Sequence, residues 1–175
     1  MKVKLTVLLA FLPSVVYASE SFNGLRVGVG YSSTSILDDS EFYDYGDGLK
    51  LELGYDFNRI VGINLSYQES DYSETTYFET LKVDGTTVKV DADVGFAFDF
   101  QGWSLKPYGA AGVAFGQEDV EFGNFTDSAS ETALLLGAGV RFIADFGLYA
   151  DLRQDFIFYE YSDLSQTSIS VGYKF

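Results

Sequence analysis

One five-residue phrase recurs four times along the chain: an apolar residue, Gly, an apolar residue, any residue, then Phe. It reads Leu53-Gly54-Tyr55-Asp56-Phe57, Val94-Gly95-Phe96-Ala97-Phe98, Ala138-Gly139-Val140-Arg141-Phe142 and Val171-Gly172-Tyr173-Lys174-Phe175. Successive Phe residues of the phrase are 41, 44 and 33 positions apart. Each copy alternates, as an extended strand must when its successive side chains face opposite ways. A repeat of this length made of alternating residues is a strand pair, so four copies predict four hairpins and eight strands.

The alternation extends through the rest of the chain. Leu25, Val27, Val29 and Tyr31 begin it, and Leu49, Leu51, Leu53 and Tyr55 oppose Lys50, Glu52, Gly54 and Asp56. Val61, Ile63, Leu65 and Tyr67 form a third run; Val88 to Phe98 a fourth, with Lys89, Asp91, Asp93 and Asp99 on its other face. Ala and Gly blur a fifth near Leu105 to Phe115. Leu134 to Phe142, Leu148 to Phe158 and Ile169 to Phe175 complete eight. The runs span 7 to 11 residues, so with a flanking residue or two each reaches the ~9–11 that a tilted strand needs to cross hydrocarbon.

Connections alternate in length. Phe57 to Arg59, Phe100 to Gly102 and Ile143 to Gly147 are short, whereas Ser33 to Asp47, Glu69 to Thr87, Gly116 to Glu131 and Tyr159 to Gln166 are long and polar. Asp84-Gly85, inside the second long segment, is a hairpin signal. Among 175 residues, enough for one domain, there are 16 Phe and 13 Tyr but two Pro and no Cys, which favours strands joined by turns and excludes disulfides and thiolate metal sites. Residues 1–18 carry a leader pattern: Lys2 and Lys4, an apolar stretch from Leu5 to Leu12, and Val16-Tyr17-Ala18 before Ser19. A cleavable signal peptide over 1–18 and one barrel domain over 19–175 are expected.

Alternation does not say which face is outside, since a soluble up-and-down barrel would hold its apolar face inward around a ligand. Two features favour a lipid-facing apolar side. Gly54, Gly95, Gly139 and Gly172 fall at one level of the polar face, and glycine in a strand marks a place short of room, such as a narrow lumen. The same face carries seven bases, Arg26, Lys50, Lys89, Lys106, Arg141, Arg153 and Lys174, and seven acids, Glu52, Asp56, Asp91, Asp93, Asp99, Asp151 and Asp155. A balanced set suits a poorly hydrated interior, where an unpaired charge is costly. Aromatics also mark the strand ends. Tyr55, Phe57, Phe98, Phe142, Tyr173 and Phe175 lie toward the short turns, with Tyr31, Tyr67, Phe115 and Phe158 toward the long segments.

The signal peptide, eight alternating strands, loop asymmetry and terminal Ile169-x-Val171-x-Tyr173-x-Phe175 resemble the small eight-stranded outer-membrane barrels of Gram-negative bacteria, the OmpA/OmpX-like porin-family proteins. The resemblance implies an all-β, antiparallel up-and-down transmembrane barrel in the cell outer membrane, in contact with lipid and lipopolysaccharide. It also implies that the terminal residues serve as a signal for the barrel-assembly machinery.

Function is bounded mainly by exclusion. The formal charge is −15, and the four long segments hold seventeen carboxylates against Lys82 alone, which disfavours nucleic acid. An acidic crown suits divalent cations shared with lipopolysaccharide or an extracellular ligand with basic patches, but plain solvation of surface loops is the favoured reading. Asp44-x-Gly46-Asp47-Gly48 hints at a calcium loop but lacks its ligand spacing. No His is present, so a general base near neutral pH is missing, and neither catalysis nor a cofactor is expected. Gly28-x-Gly30 and Gly137-x-Gly139 lack a strand–turn–helix context, and the sequon Asn124-Phe125-Thr126 reads as chance. The expectation is a monomeric structural or surface-interaction barrel with a side-chain-filled lumen. A narrow channel for ions or small solutes is the alternative, and a secreted ligand-binding barrel a third.

Overall fold

The computed structural model describes residues 22–38, 41–76, 79–122, 125–160 and 163–175. The expected leader, 1–18, and Asn124 of the sequon lie outside the described residues. In chain order the strands are β1 (Gly24–Asp38), β2 (Glu41–Asp56), β3 (Val61–Thr76), β4 (Glu79–Gly95), β5 (Phe98–Phe100), β6 (Trp103–Phe122), β7 (Phe125–Ala144), β8 (Leu148–Phe158) and β9 (Asp163–Lys174). β5 continues β4 after a break at Phe96-Ala97 and pairs the same neighbour, β6, so the wall has eight strands. Each pairs antiparallel with its neighbours in sequence. The β1–β9 ladder, from Arg26 opposite Lys174 to Leu37 opposite Asp163, closes the cylinder. Closure gives every wall strand two partners, so backbone N–H and C=O groups facing hydrocarbon are satisfied within the protein.

The three short turns are where the sequence puts them. Asn58 Oδ1 accepts from the N–H groups of Ile60 (2.7 Å) and Val61 (3.0 Å), a side-chain-built turn. Gly102 (φ +90°) and Gly147 (φ +96°) supply the left-handed residue of the other two.

At the opposite end the structure corrects the reading. The four long polar segments are largely continuations of the ladders rather than loops. β1 to β4, β6 and β7 run 15 to 20 residues instead of the expected nine to eleven. Asp84-Gly85 makes no turn: it lies inside β4, opposite Asp71 and Ser70 of β3 and Asp119 and Glu118 of β6, and the β3–β4 ladder continues as far as Thr76 opposite Glu79. Two flanking ladders, rich in Thr, Val and Tyr, override a local turn preference. Asp44 to Gly48, the calcium-loop hint, is likewise strand, paired with β1. At ~3.3 Å per residue the 20-residue β6 is roughly 65 Å long, well beyond the ~25 Å apolar band of such barrels. The hairpins therefore project past the membrane.

The partition between faces is inverted relative to a water-soluble domain. Arg26, Lys50, Lys89, Arg141, Asp93 and Asp155 are each at most 2 % exposed, while Leu134, Val94, Leu152 and Ile169 are more than half exposed. Only a surrounding apolar solvent makes this arrangement favourable. At the short-turn rim the aromatics interlock. Tyr55 with Phe57, Phe96 with Phe98 and Tyr173 with Phe175 make edge-on pairs 5.0–5.3 Å apart, and Trp103 stacks between Phe100 (4.3 Å) and Phe142 (5.2 Å).

Candidate functional site

The inward residues of the lower barrel, toward the short turns, converge on two carboxylates. Asp56 of β2 accepts from Arg26 Nε (3.1 Å) and Lys174 Nζ (2.9 Å), and Arg141 lies 3.6 Å away. Asp93 of β4 takes Lys106, Arg141 (3.4 Å) and Arg26 (3.6 Å), cations from β6, β7 and β1. Arg141 also donates to Asp151 (2.7 Å), which accepts from the Tyr108 hydroxyl as well. Asn64 bridges the set, accepting from Arg26 (2.8 Å) and donating to Asp91 (2.8 Å) and Asp93 (3.1 Å).

Higher up, Arg153 forks onto Asp91 (3.1 and 2.9 Å) and reaches Asp155 (2.7 Å), which also holds Lys89 (2.7 Å). Lys50 pairs with Glu52 (2.9 Å), which accepts from Tyr149 (2.6 Å) and Ser170 (3.0 Å). Strand alternation alone aims these groups inward, and the eight-strand diameter brings opposite walls within ion-pair reach. Each member has a charged neighbour, which is what makes so much buried charge tolerable.

Asp99 is the exception among the predicted lumen residues. It belongs to β5, below the closed wall, and pairs in solvent with Arg59 (3.2 Å), both side chains about half exposed. With Asp99 removed, seven cations face six carboxylates among the described lumen residues. Asp56 and Asp93, each shared by several cations, absorb the difference. Asp56 Oδ1 accepts no hydrogen bond and is served by the longer ion contacts alone.

The glycine ring makes room for this network. A Cβ at Gly54 would stand 2.6 Å from the Arg26 guanidinium, one at Gly139 2.5 Å from the Tyr108 hydroxyl, and one at Gly172 2.6 Å from the Tyr149 ring. Tyr108, Asn64 and Gln166 are network members that charge counting passed over. Their positions on the inward alternation are the signal that could have found them.

Above Lys89 the lumen changes character. Gln166 accepts from Lys89 (3.1 Å) and donates to Thr34 (3.3 Å), which bonds Ser70 (2.8 Å), forming a floor. A cavity of about 270 Å³ opens over it at the barrel mouth. One wall is apolar: Ile36 and Tyr159 pack on a buried cluster of Ala114, Ala133, Leu135, Ile157 and Leu164. Tyr45, Glu118 and Glu131 also line the cavity. Tyr45 reaches it through a β-bulge. The β1–β2 register slips between Thr34 and Ser35, where Gly46 takes φ +110°, and the extra residue turns inward. Burial and the hydrogen-bonded Glu118 carboxylate push the Tyr45 phenol up, so it remains a donor.

Ile169, Val171, Tyr173 and Phe175, the expected assembly signal, are all about half exposed in one outward row of β9 and its end.

A family model described as outer membrane protein β-barrel domain matches residues 5–175. No curated protein matches the chain. Among solved structures it is similar to Ail, the attachment invasion locus protein of Yersinia pestis, with 21 % identity, TM-score 0.66, and coverage of 87 % of this chain and 99 % of that one. Ail has also been solved in complex with the heparin analogue sucrose octasulfate. The N-terminal β-barrel domain of Pseudomonas aeruginosa OprF is similar at 21 % identity and TM-score 0.59, covering 85 % and 97 %. The outer membrane protein OprG of Pseudomonas aeruginosa is similar at 12 % identity and TM-score 0.61, covering 91 % and 99 %. These likenesses are of fold.

Proposed function

The chain belongs to the outer membrane protein β-barrel domain family and resides in the outer membrane, and on that premise we propose that it is a non-enzymatic, non-conducting barrel whose projecting hairpins form an interaction surface for basic partners. The observation that carries this reading is the cluster on Asp93. Cations from three strands meet one buried carboxylate, so side chains span the bore where a solute path would have to run. The lumen carboxylates are engaged by cations, and the chain has no His to act as a base, which argues against a catalytic lumen.

The hairpins supply the interaction surface. Their excess of carboxylates creates a negative field that repels polyanions and attracts basic patches. In this they contrast with Ail, which was solved with a polyanion bound. Lipid and lipopolysaccharide are the partners of the apolar exterior. The Ile169-Val171-Tyr173-Phe175 row is the segment we assign to recognition by the barrel-assembly machinery, because it offers alternate apolar residues on one face.

Planar-bilayer recording tests the reading. The pure barrel should give no unitary steps, and cells displaying it should bind a cationic peptide surface in a salt-sensitive way. Steps that disappear when Arg141 and Arg153 are neutralised would establish a channel instead.

A further inference from the structure

We propose that the barrel mouth is a binding cup for a small alkylammonium ion, its charged head beside Glu118, Glu131, Tyr45 and Tyr159 and its alkyl body against Ile36 and Leu164. The cup is formed within the same projecting hairpins, deepens the reading of them as a surface for basic partners, and lies above the ion-paired lower lumen.

Charge decides the sign of the ligand. Among the described residues the cavity lining contains two carboxylates and no Lys or Arg. The nearest cation below the floor, Lys89, is committed to Asp155 at 2.7 Å and Gln166 at 3.1 Å. An anion placed here would be repelled with nothing to offset the loss of its hydration. A cation gains the carboxylates and two electron-rich rings, the combination by which proteins hold ammonium groups. The aliphatic wall, continuous with the buried cluster from Ala114 to Leu164, asks for more than a bare inorganic ion. The volume, about 270 Å³, limits the guest to a small one.

The cup is built by backbone devices rather than left over between loops. Tyr45 would face outward by alternation, and the bulge at Gly46 re-aims it. Tyr159 occupies space that a side chain on Gly116 would take, since a Cβ there would collide with its hydroxyl. Gln68, opposite Thr87 in the β3–β4 ladder, is fully buried with neither amide atom hydrogen-bonded. Its cross-strand partner Thr87 and the next inward residue of β3, Ser70, line the cup.

Three probes with one alkyl body separate the contributions: butylammonium, butanol and butyrate, titrated into the full-length barrel in detergent micelles while the tyrosine ring resonances are followed by NMR. Butylammonium should shift the Tyr45 and Tyr159 rings saturably, butanol far less and butyrate not at all. The double variant E118Q/E131Q should weaken butylammonium by about tenfold or more. Gly116→Ala, by displacing Tyr159, should abolish the Tyr159 response while the barrel keeps its heat-modifiable gel mobility. Equal responses to all three probes, no response to butylammonium, or unchanged affinity in the double variant would overturn the proposal. Binding in micelles is scored whether or not the barrel conducts, so this test and the bilayer test fail independently.

Discussion

The lower lumen and the mouth are enclosed by the same strands yet solve opposite problems. From Lys89 downward, alternation brings seven cations and six carboxylates of the described residues into a bore too narrow for hydration, and each charge has an ion partner. Above it, the inward positions switch to Ala, Leu, Ile, Ser and Thr, the charges thin to Glu118 and Glu131, and a cavity opens. The contrast shows that an eight-stranded wall does not dictate a filled interior. Side-chain length at inward positions decides where the bore is sealed and where it stays open.

Substitutions can break or sharpen this comparison. The largest loss is expected for Asp93→Ala, which strands Lys106, Arg141 and Arg26 around a void; a buried ion partner removed in this way costs about 3–5 kcal/mol. Urea unfolding in detergent reads it, and a loss no greater than that at the rim would mean the lower network does not hold the barrel together. Ile157→Ala, in the apolar wall under the mouth, should cost about 2 kcal/mol, the low end for such truncations because the neighbouring cavity lets the wall relax. Gly54→Ala pushes a methyl into the Arg26 guanidinium and should cost about 1–2 kcal/mol as overpacking. The smallest effect belongs to Asp99→Ala. Its pair with Arg59 is half exposed, so stability should change by less than about 1 kcal/mol, and added salt should erase the difference. Asp93 and Asp99 sit six residues apart on one sequence pattern, so their separation in this series is the sharpest form of the comparison.

The fold was legible because its evidence is periodic. The repeated phrase gave the strand pairs, the short turns and the inward glycines, and alternation assigned Arg26, Asp93, Arg141 and Arg153 to one face. What stayed hidden depends on contacts between distant strands. Asp84-Gly85 reads as a turn until two flanking ladders are seen to hold it extended. Asp99 keeps the inward phase but falls past the end of the closed wall, which a phase count cannot detect. Tyr45 escapes altogether, because a one-residue bulge reverses the phase on which the inward and outward assignment rests. The mouth was thus the least readable region, and it is the region where backbone irregularity replaces repetition.

The central claim is that the apolar face touches acyl chains and the ions face the bore. A carbene precursor dissolved in the lipid phase of a vesicle holding the folded barrel tests it directly, with the modified residues read by mass spectrometry. The account predicts label on Leu51, Ile63 and Val140 and none on Lys50 or Arg153. Label on Lys50 and Arg153 with Leu51, Ile63 and Val140 spared would contradict it.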